Sequence, residues 1–213
     1  MPSPYTLTGD SSLLLPEFDA PPAEPLGLLD RWLDEAGRRG VSEPLAVTLA
    51  TADSTGRPSA RVLLVKQLDA RGLVFTSFRG SRKGHDLADR PYAAMTFHWR
   101  ETLQQIVLAG PVEVLSDEAS DRLFAERPYA ARATTAVSRQ SRPLEDEEDL
   151  RERARRLVES GDPVRRPAEW TGYRLVPDNV EFWYGSPDRL HRRLRYDRTR
   201  TTADTWTHRR LQP

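Results

Sequence analysis

Lys66 and Lys83 are the only lysines among the 32 basic residues of this 213-residue chain. Both fall in one stretch, Arg61 to Gly84, together with Arg61, Arg82, the hydroxyls of Thr76 and Ser77, and the run Ser81-Arg82-Lys83. Compact ammonium groups, guanidinium forks and hydroxyls gathered this closely are the donors a phosphate would take. A solvated hairpin with ordinary surface charge is the other reading. Arg61 to Lys66 alternates as a strand does, Asp69-Ala70-Arg71-Gly72 has turn chemistry, and Leu73 to Ser77 is a second strand. The two strands are expected to pair as a hairpin, followed by a short helix opening at Ser81.

Other chemistry is largely excluded. There are no cysteines, and the four histidines (His85, His98, His191 and His208) are too scattered for a metal pair. Neither a phosphate-binding loop nor a G-x-G-x-x-G turn is present, and no serine sits in a nucleophile elbow. With 32 acidic residues against 32 basic, net charge is +0, which gives no general affinity for nucleic acid or an anionic membrane. No signal-peptide pattern or membrane-length apolar run occurs, so a cytoplasmic protein is expected. Cations, hydroxyls and amides with few nucleophiles suit a site whose chemistry is carried by a bound cofactor.

Three further segments carry polar groups in suggestive patterns. Gln104 and Gln105 are adjacent at the start of a strand, so one of them must face inward, where a heterocycle could satisfy its amide; a surface glutamine is the alternative. Ser138-Arg139-Gln140-Ser141 clusters polar groups where a helix gives way to a loop. Strand alternation would put Arg189, His191 and Arg193 on one face, facing an anion or simply charging an edge strand.

The elements that must position these groups follow from periodicity. Residues 1–24 read as a mobile N-terminal arm and 25–213 as a single domain. Leu26, Leu29, Trp32, Leu33 and Ala36 mark a helix from Pro25 to about Gly40. Strands are expected at Leu45–Ala52, Pro58–Lys66, Leu73–Ser77, Tyr92–Trp99 and Gln104–Leu115. Helices follow from Ser116, at Ala130–Arg139 and at Glu145–Glu159. The last strands are Tyr173–Val176, Val180–Tyr184, Leu190–Tyr196 and Trp206–Leu211, with Thr199–Thr205 as a loop. Short strands joined by tight turns, with helices between, indicate a mostly β (α+β) antiparallel barrel.

The ordered segments V-x-L-A-T-A-D-x-x-G-R-P-S-A-R-V-L-L-V-K (47–66), S-R-K-G (81–84), Q-Q-I (104–106), S-R-Q-S (138–141), V-E-F-W (180–183) and R-L-H-x-R-L-R-Y (189–196) resemble the pyridoxamine 5′-phosphate oxidase family. The resemblance implies a split β-barrel homodimer with FMN between its subunits and O2 as electron acceptor. It assigns FMN contacts to Arg61, Thr76, Ser77, Arg82, Lys83, Gln105, Gln140, Ser141, Trp183 and Arg193. Substrate contacts fall on Lys66, Arg127, Arg189 and His191, the last two as the catalytic pair. Where the pyridoxal-forming enzymes hold a substrate phosphate with Lys, Tyr, Arg and Ser, this chain keeps Lys66 and Arg127 but carries Leu123 and Ala131. Gln104 stands where those enzymes usually have Arg. These departures, with W-R-E-x-x-Q-Q-I (99–106) and R-L-R-Y-D-R (193–198), resemble the phenazine-biosynthesis branch. That branch implies a reduced phenazine carboxylic acid as the aromatic substrate; oxidation of pyridoxamine or pyridoxine 5′-phosphate is the alternative.

Overall fold

The structure is a computed structural model that describes residues 12–199 and 205–213. Among the described residues ten strands form one curled, wholly antiparallel sheet. Along its main path the order is β10-β9-β8-β6-β5-β1-β2. These are β1 (Ala46–Ala52), β2 (Pro58–Leu64), β5 (Tyr92–Trp99), β6 (Gln104–Val114), β8 (Asn179–Tyr184), β9 (Arg192–Thr199) and β10 (Thr205–Leu211). A branch of β3 (Gln67–Asp69), β4 (Gly72–Phe78) and β7 (Trp170–Leu175) joins through β6. The 11-residue β6 thus serves both parts: Gln104 to Ala109 pair with β8, and Val112 to Val114 with β7. Gly110 lies at the changeover, where a Cβ would stand 2.1 Å from the Val176 carbonyl oxygen; only glycine lets the two backbones come that close.

Among the described residues there are five α-helices: α1 (Pro25–Arg38), α2 (Arg82–Asp89), α3 (Asp117–Ala125), α4 (Tyr129–Val137) and α5 (Glu147–Ser160), the last packed on α4. The Pro25 start of α1 and the Ser116 cap of α3 stand where the sequence puts them. α1 buries Leu28, Leu29, Trp32 and Ala36. Trp32 meets Phe182 edge-on at 5.0 Å between ring centroids and lies 6.4 Å from Trp99, so the helix is anchored under the middle of the sheet. Among the described residues no helix is long and apolar enough to cross a membrane.

Two expectations are corrected here. β2 and β4 do not form a hairpin. β2 pairs with β1, whereas β4 pairs with the short β3 across the Asp69–Gly72 turn. The change of partner takes one residue: Val65 N donates to Leu45 O, and Lys66 N donates to Val74 O at 2.7 Å. Nor do Arg189 and His191 alternate on a strand, because β9 begins only at Arg192 and Arg189 has φ +65°. Within the segment read as an arm, residues 1–11 lie outside the described residues. Pro16–Phe18 forms a 3₁₀ turn that buries Leu15 and Phe18 in the core. Residues 200–204 of the expected Thr199–Thr205 loop also lie outside the described residues, and Thr199 and Thr205 themselves pair.

Register lays out the outer face of the sheet. Val62, Thr48, Thr96, Val107, Glu181, Arg195 and Arg209 are successive cross-strand partners in one row. The row beside it carries His98, Gln105, Trp183, Arg193 and Leu211. Gln104 therefore points to the core, at 1% exposure, and Gln105 to the outer face.

Candidate functional site

The first group of polar side chains forms where β4 runs into α2. Ser81 caps α2, its Oγ accepting from Gly84 N at 3.3 Å. Gly84 makes that tight entry possible: a Cβ there would lie 2.2 Å from Arg79 O and 2.5 Å from Phe78 O. The first turn of α2 folds Lys83 back against β4. Its Nζ donates to Ser77 Oγ at 2.9 Å and to Ser81 Oγ at 3.3 Å, and the residue is 8% exposed. Ser77 Oγ in turn donates to Gln140 Oε1 at 3.2 Å, which ties the 138–141 segment to the cluster.

Asp86, one turn after Lys83 on the same buried face of α2, joins this group to β1 and β2. Its Oδ2 accepts from Thr51 Oγ1 at 2.6 Å and Ser59 Oγ at 2.9 Å, with Arg61 Nη2 at 3.9 Å. Arg61 donates to Leu49 O at 3.2 Å, Thr51 Oγ1 at 2.7 Å and Ser59 Oγ at 2.6 Å, so its fork is fixed before any ligand arrives. Burial lowers the pKa of Lys83 to about 8, and the Arg61 charge adds to the effect. Burial likewise lowers that of Arg61, against the pull of Asp86. Two partly desolvated cations beside a helix N-terminus, with one carboxylate already occupied by hydroxyls, form a cradle suited to an anion. Arg82 is exposed at the first turn of α2, and Thr76 is half-buried on β4. Ser141 is exposed with φ +70°.

A second group sits on the outer face of the sheet. Trp183 lies between its cross-strand partners Gln105 and Arg193, and His191 packs on the Trp183 ring at 5.0 Å. Arg193 Nε donates to Glu181 Oε1 at 2.8 Å, and this bond raises the guanidinium pKa. A third group is built on Arg127. Its Nη1 donates to Thr135 Oγ1 at 2.6 Å, and its guanidinium stands 5.4 Å from the Trp170 ring centroid and 5.9 Å from that of Phe124. Leu123 is buried with Val74, Phe124 and Trp170, and Ala131 offers only its carbonyl, to Thr135 Oγ1 at 2.8 Å. Lys66 is exposed and lines a separate hollow of about 330 Å³ with Asp30 and Asp34.

The structure thus gathers Arg61, Ser77, Lys83 and Gln140 at one place and Gln105, Trp183, His191 and Arg193 at another. Thr51, Ser59 and Asp86 escaped the sequence reading, whereas Ser81 was already in its Ser-Arg-Lys run. Only Asp86 left a signal, the i, i+3, i+4 spacing of Lys83, Asp86 and Leu87 on one face of α2.

A curled antiparallel sheet crossed by a shared long strand, with cations and hydroxyls clustered at its rim, is the split β-barrel class. The chain belongs to the pyridoxamine 5′-phosphate oxidase family. The family described as pyridoxamine 5′-phosphate oxidase matches residues 33–160, and the pyridoxine 5′-phosphate oxidase C-terminal dimerisation region matches residues 170–213. The chain is 43% identical over 208 residues to a dihydrophenazinedicarboxylate synthase of Pseudomonas chlororaphis, covering 98% of this chain and 92% of that one. It is 47% identical over 200 residues to a pyridoxine/pyridoxamine 5′-phosphate oxidase of Burkholderia orbicola, covering 93% of each. The crystal structure of PhzG from Burkholderia lata 383 in complex with tetrahydrophenazine-1-carboxylic acid superimposes with a TM-score of 0.92 at 43% identity. That match covers 96% of this chain and 100% of the other.

Proposed function

We propose that the protein is an FMN-dependent oxidase that aromatises reduced phenazine carboxylic acids with O2 as acceptor, working as a homodimer. Overall identity does not separate this reading from pyridoxamine or pyridoxine 5′-phosphate oxidation, since relatives of both kinds score alike. The observation that carries it is the Arg127 site. A phosphate needs several donors, but the two positions where the resemblance expects hydroxyls hold a buried Leu123 and the methyl of Ala131. What remains at this place is the Arg127 guanidinium, held by Thr135 and flanked by two aromatic rings, while the retained Lys66 lines a separate hollow. A single planar fork suits a carboxylate on a flat ring better than a phosphate.

The first cradle fits the FMN phosphate: Arg61 and Lys83 supply charge, and Ser77, Ser81 and Gln140 supply hydrogen bonds. When bound, FMN supplies the two-electron acceptor that O2 regenerates. This chain's residues bind and orient. Arg127 would anchor a carboxylate, Gln105 and Trp183 would help hold the flavin with an amide and a ring, and Arg189 and His191 would cover the substrate. Aromatisation provides the driving force, so positioning is the main task of the protein.

The test is anaerobic mixing of the yellow protein with tetrahydrophenazine-1-carboxylic acid, followed by admission of oxygen. Bleaching, then recovery of the flavin band with formation of the aromatic acid, is expected. Rapid conversion of pyridoxine 5′-phosphate to pyridoxal 5′-phosphate, with no bleaching by the phenazine precursor, would overturn the assignment in favour of the second reading, which the retained Lys66 and Arg127 also allow.

A further inference from the structure

A neutral histidine carries its one ring proton on either nitrogen, and the partner of one nitrogen decides what the other can do. In the turn leading into β9, the backbone N–H of Ser186 donates to His191 Nδ1 at 3.2 Å. A backbone amide is a donor only, so Nδ1 must present a lone pair and the proton must reside on Nε2. The turn is built around this contact. Asp188 Oδ1 accepts from Ser186 Oγ at 2.6 Å and from Leu190 N at 2.9 Å, and Arg189 N donates to Ser186 O at 3.1 Å. The positive φ of Arg189 closes the loop back on Ser186, and Gly185 N is tied to Leu103 O at 3.0 Å on the far side. Trp183 braces the imidazole at 5.0 Å.

We propose that this turn, with Asp188 as its positioning residue, locks His191 in the Nε2–H tautomer, so that His191 meets the substrate as a hydrogen-bond donor and not as a proton acceptor. Its role towards substrate rests on the oxidase reading above; the tautomer does not. With Nε2 protonated, the only acceptor on the ring is Nδ1, and Ser186 already occupies it. The imidazole then suits an acceptor on the substrate, a carboxylate oxygen or an unprotonated ring nitrogen.

The experiment uses the holoenzyme labelled with ¹⁵N-histidine, observed by long-range proton–nitrogen correlation at alkaline pH. The chain has four histidines, and His191→Gln identifies the signal by its disappearance. A bare-nitrogen shift at Nδ1 and a protonated-nitrogen shift at Nε2 are expected. Asp188→Ala should mix the tautomers, and Asp188→Asn should restore the single form, because its amide oxygen can accept the same two bonds. Asp188→Ala should also raise KM for the reduced substrate about five- to tenfold, the loss of one hydrogen bond, with flavin content unchanged. A protonated Nδ1 in the wild type, an unmixed tautomer in Asp188→Ala, or a KM effect accompanied by lost flavin would overturn the proposal. The spectrum is recorded without substrate, so a wrong substrate class would leave the tautomer result standing.

Discussion

Burying the Lys83 ammonium beside Arg61 brings its pKa from 10.5 to about 8, an upper limit of about 3 kcal/mol that the flavin-free fold spends on holding this charge. The cost has a direction in pH. Between about 8 and 10.5 the unfolded chain keeps a proton on Lys83 that the folded chain has released, so stability should rise with pH across that window. Thermal melts of the flavin-free protein from pH 8 to 10 should show this rise, and Lys83→Met should flatten it. A bound phosphate dianion would return the proton to Lys83 and flatten the slope in the same way. The two lysines then separate by function. Lys83→Ala should weaken FMN binding about tenfold to a hundredfold, the value of a charge-assisted hydrogen bond. Lys66→Ala, whose side chain is exposed in a different hollow, should stay yellow and lose turnover. Equal loss of flavin in both variants, read by fluorescence titration, would refute that division.

At the scale of elements, the cradle depends on how closely α2 enters behind β4. Gly84→Ala would place a methyl within 2.2 to 2.6 Å of the backbone of Phe78 and Arg79, atoms that cannot rotate away. The helix start must move, taking Ser81 and Lys83 with it. A loss of about 2–4 kcal/mol in urea unfolding, together with weaker flavin binding, is expected. Stability and flavin affinity both at wild-type level would show that the entry is looser than its geometry implies. The helix itself was legible: Ser81 as cap and Arg82–Lys83 as its first turn follow from local chemistry, as does the alternation that gives β5 its bounds. Pairing was not legible. The hairpin expectation joined neighbours in sequence, but Val65 and Lys66 hand the chain from Leu45 to Val74, and nothing local records a change of partner. Alternation failed at Arg189 for a related reason. The Asp188 side chain folds residues 186–190 into a turn, so strand parity does not begin until Arg192. For Gln104 and Gln105, alternation said that one faces inward but not which, because the core side is set by β5 and β8. Asp86 stayed hidden because its partners Thr51 and Ser59 lie 35 and 27 residues away.

For the whole molecule, the outer face of the sheet carries the Gln105, Trp183 and Arg193 half of the proposed site. The row from Val62 to Arg209 crosses seven strands, and the row beside it carries Gln105, Trp183 and Arg193. At the β2 end, Val62 is 70% exposed and Leu64 42%, and Tyr92 on β5 is 47% exposed. Aliphatic and aromatic side chains on an open sheet face favour cover by another surface. At the other end, Glu181, Arg193, Arg195, Asp197 and Arg209 are cross-linked by ion pairs, which keeps that end satisfied with or without a neighbour. If the homodimer forms on this face, a charge placed at Val62 must be desolvated without a partner, which costs several kcal/mol across a two-fold contact where it occurs twice. Val62→Glu should therefore sediment as a monomer at concentrations where the wild type is a dimer. Its circular dichroism should be unchanged, because Val62 contributes little to the core of its own chain. If FMN is held between the subunits, the same variant should lose its yellow colour on gel filtration. A dimeric, yellow Val62→Glu would place the contact elsewhere on the molecule, and a colourless dimer would separate cofactor binding from this face.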